Sequence, residues 1–114
     1  MSNAAALMRA RLNSDLLAAM KSRDTIATAT LRCLIGALDN GSAVPLTSDH
    51  VAVYGRSGDV PRKDLSETEC NNILSAEAQS RRIAVAEYER LGRVEQATRL
   101  QAELAVIARY LGPM

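Results

Sequence analysis

Set at about 100° per residue, the apolar positions of this chain fall into four helical stripes separated by two short breaks and one long one. Over residues 6–22, Met8, Leu12, Leu16, Ala19 and Met20 line one side, and Arg9, Asp15 and Lys21 stay at its edges or outside. Asp24 is placed to cap the next helix, which leaves Lys21-Ser22-Arg23 as a tight connection. Over residues 25–40, Ala27, Leu31, Leu34 and Leu38 recur at spacings of four, three and four. Ile26, Cys33, Ile35 and Ala37 widen that surface, so this helix is expected to be covered on more than one side, with Arg32 pointing away from the main stripe. Asn40-Gly41 reads as its end, since glycine accepts the left-handed conformation there.

Residues 41–65 break the period, punctuated by Pro45, Gly55, Gly58 and Pro61, with a short extended piece at residues 50–54. A stretch this long without periodicity reads as a solvated, mobile or functional loop. Helix three is expected over residues 66–92. It opens on a capping box, Ser66 with Glu69, and stops at Gly92. Helix four runs over residues 93–111, with Ala97, Leu100, Leu104, Ile107 and Leu111 forming a seam suited to antiparallel packing. The fold class is therefore all-α: a four-helix domain of two antiparallel helical hairpins, with the long loop between helices 2 and 3. Residues 1–5 are read as a disordered N-terminus or tag remnant, and residues 6–114 as a single domain.

Helix three carries the least ordinary feature. Cys70, Ile73, Leu74, Ala84, Val85, Tyr88 and Leu91 share one face, and Glu77 and Arg81 fall in the middle of it. They stand four residues apart, so they can meet on adjacent turns. One reading is a pair that fixes helix register, adding little net stability but costly to break from one side. The other is a polar pocket between helices that takes a ligand or partner group. Arg32 on helix two and Glu103 on helix four are the nearest expected charge partners, and Arg81-Arg82, Arg90 and Arg93 bring further basic groups along this helix and its turn. The polar cluster of Arg32, Glu77, Arg81, Arg82 and Glu103 is the candidate binding or structural site.

Composition narrows the function. Of 114 residues, 47% are hydrophobic but only 3% aromatic, with no Phe or Trp, so the core must be aliphatic. A net charge of +1 generates no broad field, and nothing in it announces nucleic acid or membrane. No run reaches the roughly 20 apolar residues of a spanning helix, and no secretory signal opens the chain, so a cytoplasmic protein is expected. Cys33 and Cys70 read as reduced, buried small hydrophobes. His50 is the sole histidine and has no metal-ligand spacing to either cysteine, so no metal or cofactor is expected. No Ser-His-Asp or Cys-His arrangement appears. The acidic pairs Glu67/Glu69 and Glu87/Glu89 lie at a helix start or on an exposed face. The GRSG and PRK stretches do not match a phosphate-binding loop. No catalytic residue is assigned.

Taken together, LLAAMKSRD from Leu16 to Asp24, Thr30-Leu31-Arg32, Glu77 with Arg81-Arg82, Ala86-Glu87-Tyr88-Glu89 before Leu91-Gly92-Arg93, and Glu103 leading to Tyr110-Leu111 resemble the YqeY-like (GatB/YqeY) domain family. The likeness covers most of residues 7–111, with the central loop divergent. It implies an all-helical N-terminal domain and kinship with a segment of the B subunit of tRNA-dependent amidotransferase, which converts misacylated Glu-tRNA or Asp-tRNA to the amide. At the level of the family this is carbon–nitrogen ligase activity with glutamine as amido-N donor. There the amidase chemistry belongs to another subunit, and the helical tail engages tRNA. Family members continue from a Tyr-Leu-Pro into a second small helical domain. Here Tyr110-Leu111 leads to Gly112-Pro113-Met114, so the likeness is to the N-terminal domain only. The resemblance implies an accessory or binding module that assists tRNA or enzyme engagement, with tRNA or amidotransferase subunits as partners. The alternative is a protein-interaction or dimerisation module, such as a homo-oligomer, with no tRNA role.

Overall fold

The computed structural model describes residues 3–42 and 64–111. Among them are four helices: α1 (Ala4–Lys21), α2 (Thr25–Ser42), α3 (Glu67–Arg90) and α4 (Val94–Ala108). They form two antiparallel hairpins, α1 with α2 and α3 with α4, and α2 is the element that joins the hairpins, packing on both α3 and α4. No strand occurs among the described residues.

The start and stop signals act largely as local chemistry requires. Asp24 Oδ1 accepts from the Ala27 amide at 3.0 Å and caps α2. At α3 the capping box is closed: Ser66 Oγ accepts from the Glu69 amide and Glu69 Oε1 accepts from the Ser66 amide, both at 3.1 Å. Glu67 and Glu69 also place negative charge on the positive end of that helix.

The shared core is aliphatic. Leu12 of α1, Leu31, Leu34 and Leu38 of α2, Leu65, Leu74 of α3 and Ile107 of α4 are essentially removed from water. Each such side chain contributes about 1.5–3 kcal/mol relative to an exposed one. Leu16 and Leu104 pack against this cluster from its edge. The core does not extend to the tip of the second hairpin. From Arg82 to Gln101, Val85 and Ala97 are buried without joining the shared cluster, and Leu91 and Val94 at the tip are exposed. Beyond about Arg81 and Glu103, α3 and α4 therefore form an arm that depends on their contact with each other.

Several boundaries and faces differ from those read along the chain. Ala4 and Ala5 belong to α1, and Ala5 is buried in the core rather than lying in a disordered end. Helix α2 runs through Gly41 to Ser42. Gly41 packs closely on α3: a Cβ there would meet the terminal methyl of Ile73, which would have to shift. Arg9, expected at an edge, supports this extension. Its Nε donates to Asp39 Oδ1 at 3.0 Å and its Nη2 to Ser42 Oγ at 2.7 Å. The end of α4 falls at Ala108, three residues short of Leu111. Cys33, Met20 and Leu91 are exposed, because no described element covers the outer faces of α1 and α2 or the hairpin tip. Cys70 is buried as expected, and burial, opposed by the Arg9 charge and reinforced by Glu69, pushes its thiol pKa up. Residues 43–63, including the extended piece read at 50–54 and His50, lie outside the described residues, as do residues 112–114.

Candidate functional site

Arg81 lies on the inner side of α3, where the arm leaves the core. Its Nε donates to Glu103 Oε1 of α4 at 2.9 Å, and its Nη1 donates to the Glu77 carbonyl at 3.1 Å and to Glu77 Oε1 at 3.4 Å. The side chains are 12% exposed for Arg81, 17% for Glu103 and 32% for Glu77. Arg99, one turn before Glu103, approaches its other oxygen at 3.6 Å. Burial disfavours the guanidinium charge, but the hydrogen bonds and charges of Glu103 and then Glu77 outweigh it, so the Arg81 pKa is raised. Two carboxylates and a carbonyl occupy one planar donor fork. The arrangement holds α3 to α4 through the Nε and Nη1 of Arg81, whose charge is offset by two carboxylates.

Two residues grouped with this cluster in the sequence stand elsewhere. Arg82 points outward and donates to Gln79 Oε1 at 3.3 Å. Arg32 lies on the outer face of α2, where its Nη2 approaches Met20 Sδ of α1 at 3.9 Å. The helical period had already turned Arg32 away from the core stripe; grouping it with Glu77 required a crossing that α2 does not make.

A second polar assembly joins the ends of the chain. Tyr110, in the turn after α4, is buried and donates its hydroxyl to Asp15 Oδ2 of α1 at 2.5 Å. The Arg11 guanidinium stacks 4.6 Å from the Tyr110 ring centroid and donates to the Arg109 carbonyl at 2.8 Å. Burial, then the hydrogen bond to Asp15 and its charge, push the Tyr110 pKa up to about 12, so it remains a neutral donor. These partners are 95 and 98 residues apart, and no local spacing announces them.

The third feature is cationic and open. A groove of about 530 Å³ lies between the end of α1 and the outer face of α2, lined by Met20, Arg23, Thr25, Thr28, Ala29 and Arg32. No carboxylate lines it. Arg23 and Arg32 form no ion pair among the described residues, as is also true of Arg11, Lys21, Arg82, Arg93 and Arg109, whereas Arg9, Arg81, Arg90 and Arg99 each have a carboxylate partner.

The family model described as a Yqey-like protein matches residues 9–113, nearly the whole chain. The chain belongs to the YqeY-like family. Comparison with curated proteins and with solved structures gave no match. The matched span takes in both hairpins, and the residues of the Arg81 cluster, the Tyr110 assembly and the open groove lie within it. Among the described residues of this family member, no group of three His, Cys, Asp or Glu side chains could hold a metal ion, and no helix is long and apolar enough to cross a membrane.

Proposed function

We propose that the chain is an accessory binding module of tRNA-dependent amide transfer, engaging the amidotransferase or its tRNA rather than catalysing the reaction. The observation that carries this reading is how the charged side chains are used. In the Glu77–Arg81–Glu103 cluster they are directed at one another, whereas Arg23 and Arg32, without a carboxylate partner among the described residues, flank an open groove at the α1–α2 turn. Interior charge holds the fold, and exterior charge is available to a partner. The link to amide transfer is drawn from the resemblance of this family to a segment of the amidotransferase B subunit.

The test is titration of the chain against deacylated tRNA and, separately, against the purified amidotransferase at two salt concentrations. A salt-sensitive complex with either one is the expected result, and absence of both sinks the proposal. A second reading, a protein-interaction or dimerisation module without a tRNA role, draws on the outer face of α1, where Leu17 is 61% and Met20 46% exposed. Under that reading tRNA does not bind, and a protein partner or a second copy does.

A further inference from the structure

We infer that the groove at the α1–α2 turn is a docking site for an acidic, apolar helical segment of a partner protein. This rests on the binding-module reading and names the chemistry of what is bound. The groove combines two properties that are seldom neighbours on an otherwise balanced surface. Its floor is apolar: Met20 comes from α1 and Ala29 from α2, and exposed Leu17 extends it one turn back along α1. Its rim is cationic: Arg23 stands at the turn and Arg32 two turns along α2. Arg32 reaches across to Met20 Sδ at 3.9 Å, so its exposed charge stands at the edge of the floor.

Thr25, Thr28 or Ala29, and Arg32 occupy successive turns of one α2 face, so the groove runs parallel to that helix. Asp24, the carboxylate next to Arg23 in the turn, has its Oδ1 engaged by the Ala27 amide at the cap. An occupant with Leu-type anchors at helical spacing and Asp or Glu beside them satisfies both floor and rim. Methionine suits such a surface because its unbranched side chain refits to different anchors.

RNA fits less well. Unstructured RNA is held by aromatic platforms and a long cationic track. The described aromatics, Tyr88 and Tyr110, are half-buried and buried, and the groove offers two cations.

The experiment is a fluorescence-anisotropy titration of the full chain with three labelled probes. These are a synthetic helical peptide carrying Leu at every third or fourth position flanked by Glu, the same peptide with Lys in place of Glu, and a short single-stranded RNA. The acidic peptide is expected to bind in preference to the other two, with its amide shifts mapping to residues 17–32. R23E with R32E is expected to weaken it by about tenfold or more, and L17S with M20S is expected to do so independently. The neutral pair R23Q with R32Q, checked by circular dichroism, guards against misfolding and is expected to give an intermediate loss. Acidic-peptide binding unmoved by any of these variants overturns the assignment. So does RNA binding more tightly than the peptide and being lost in R23E with R32E. If the amidotransferase or tRNA still binds while the groove variants have no effect on it, the groove assignment falls and the binding-module reading stands. If nothing binds, both fall.

Discussion

Hairpin α1–α2 turns at Ser22–Arg23–Asp24 and hairpin α3–α4 at Leu91–Gly92–Arg93, with the same set of backbone hydrogen bonds. In the first, the Arg23 amide donates to the Met20 carbonyl at 3.2 Å and the Asp24 amide to Ala19 at 2.9 Å. In the second, the Gly92 amide donates to Glu89 at 3.0 Å and the Arg93 amide to Tyr88 at 2.8 Å. Both are Schellman endings, which need a left-handed residue at the crossing point. Glycine takes that place in the second, at φ 74°, and arginine in the first, at φ 60°. The next residue differs too: Asp24 caps α2 with its side chain, whereas Arg93 makes no side-chain cap to α4.

Matched turns thus lead into unequal packing. The buried residues of α1 and α2 reach from Ala5 to Ser42, almost end to end, and those below the tip of the second hairpin, Val85 and Ala97, stand apart from the shared core. An arginine in a left-handed conformation costs about 1–2 kcal/mol. The first hairpin tolerates that because its helices are anchored along their length. The second has an unstrained turn and a charged clamp where its packing against the body ends.

The sharpest way to break this comparison is to remove apolar volume from each hairpin. Leu34→Ala, in the common core, should cost about 2–5 kcal/mol and lower protection of amides throughout. Val85→Ala should cost about 1–2 kcal/mol and loosen amides mainly between residues 82 and 101. Equal, global loss of hydrogen-exchange protection in both variants would mean that the arm is not a separate unit.

Next in size is the clamp. Arg81→Ala leaves Glu77 and Glu103 without their shared cation and should cost about 2–4 kcal/mol, the lower part of the buried-pair range because Glu77 is partly exposed. Arg81→Met with Glu103→Leu should recover most of the loss. A double-mutant cycle on thermal unfolding gives the Arg81–Glu103 coupling. Glu87–Arg90, exposed at the arm surface, serves as the comparison pair and should show no resolvable coupling. If the two pairs couple equally, the clamp reading fails.

The smallest effects belong to the turns. Gly92→Ala should cost about 1 kcal/mol, and Arg23→Gly should stabilise by about 0.5 kcal/mol, relief of the left-handed arginine being partly offset by glycine's larger chain entropy. Arg93→Asp should add about 0.5–1 kcal/mol by giving α4 the cap that α2 already has. Denaturant midpoints check all three. A larger loss from Arg23→Gly than from Gly92→Ala would show that Arg23 makes a contribution beyond its turn.

Much of this was legible along the chain for local reasons. The leucine stripe of α2, the capping box at Ser66 and the cap at Asp24 depend on residues within one or two turns, and each appears where its spacing put it. Gly41 shows the limit. Its identity suggested a helix end, but its missing Cβ admits Ile73 of a helix some 30 residues away. Arg32 shows another. Its position on α2 could be read, but its neighbour Met20 follows from how α1 is rotated against α2.

By itself, then, the sequence determined four helices, their hairpin order, the aliphatic makeup of the core and the closeness of Glu77 to Arg81, because period, capping and i,i+4 spacing act within a few residues. Tertiary structure alone decided that Glu103, and not Arg32, joins Arg81, that Tyr110 meets Asp15, and that Arg23 and Arg32 flank Met20 at the first turn. Those outcomes depend on helix rotation and crossing. Both are set by the fit of the whole core, and no local spacing encodes them.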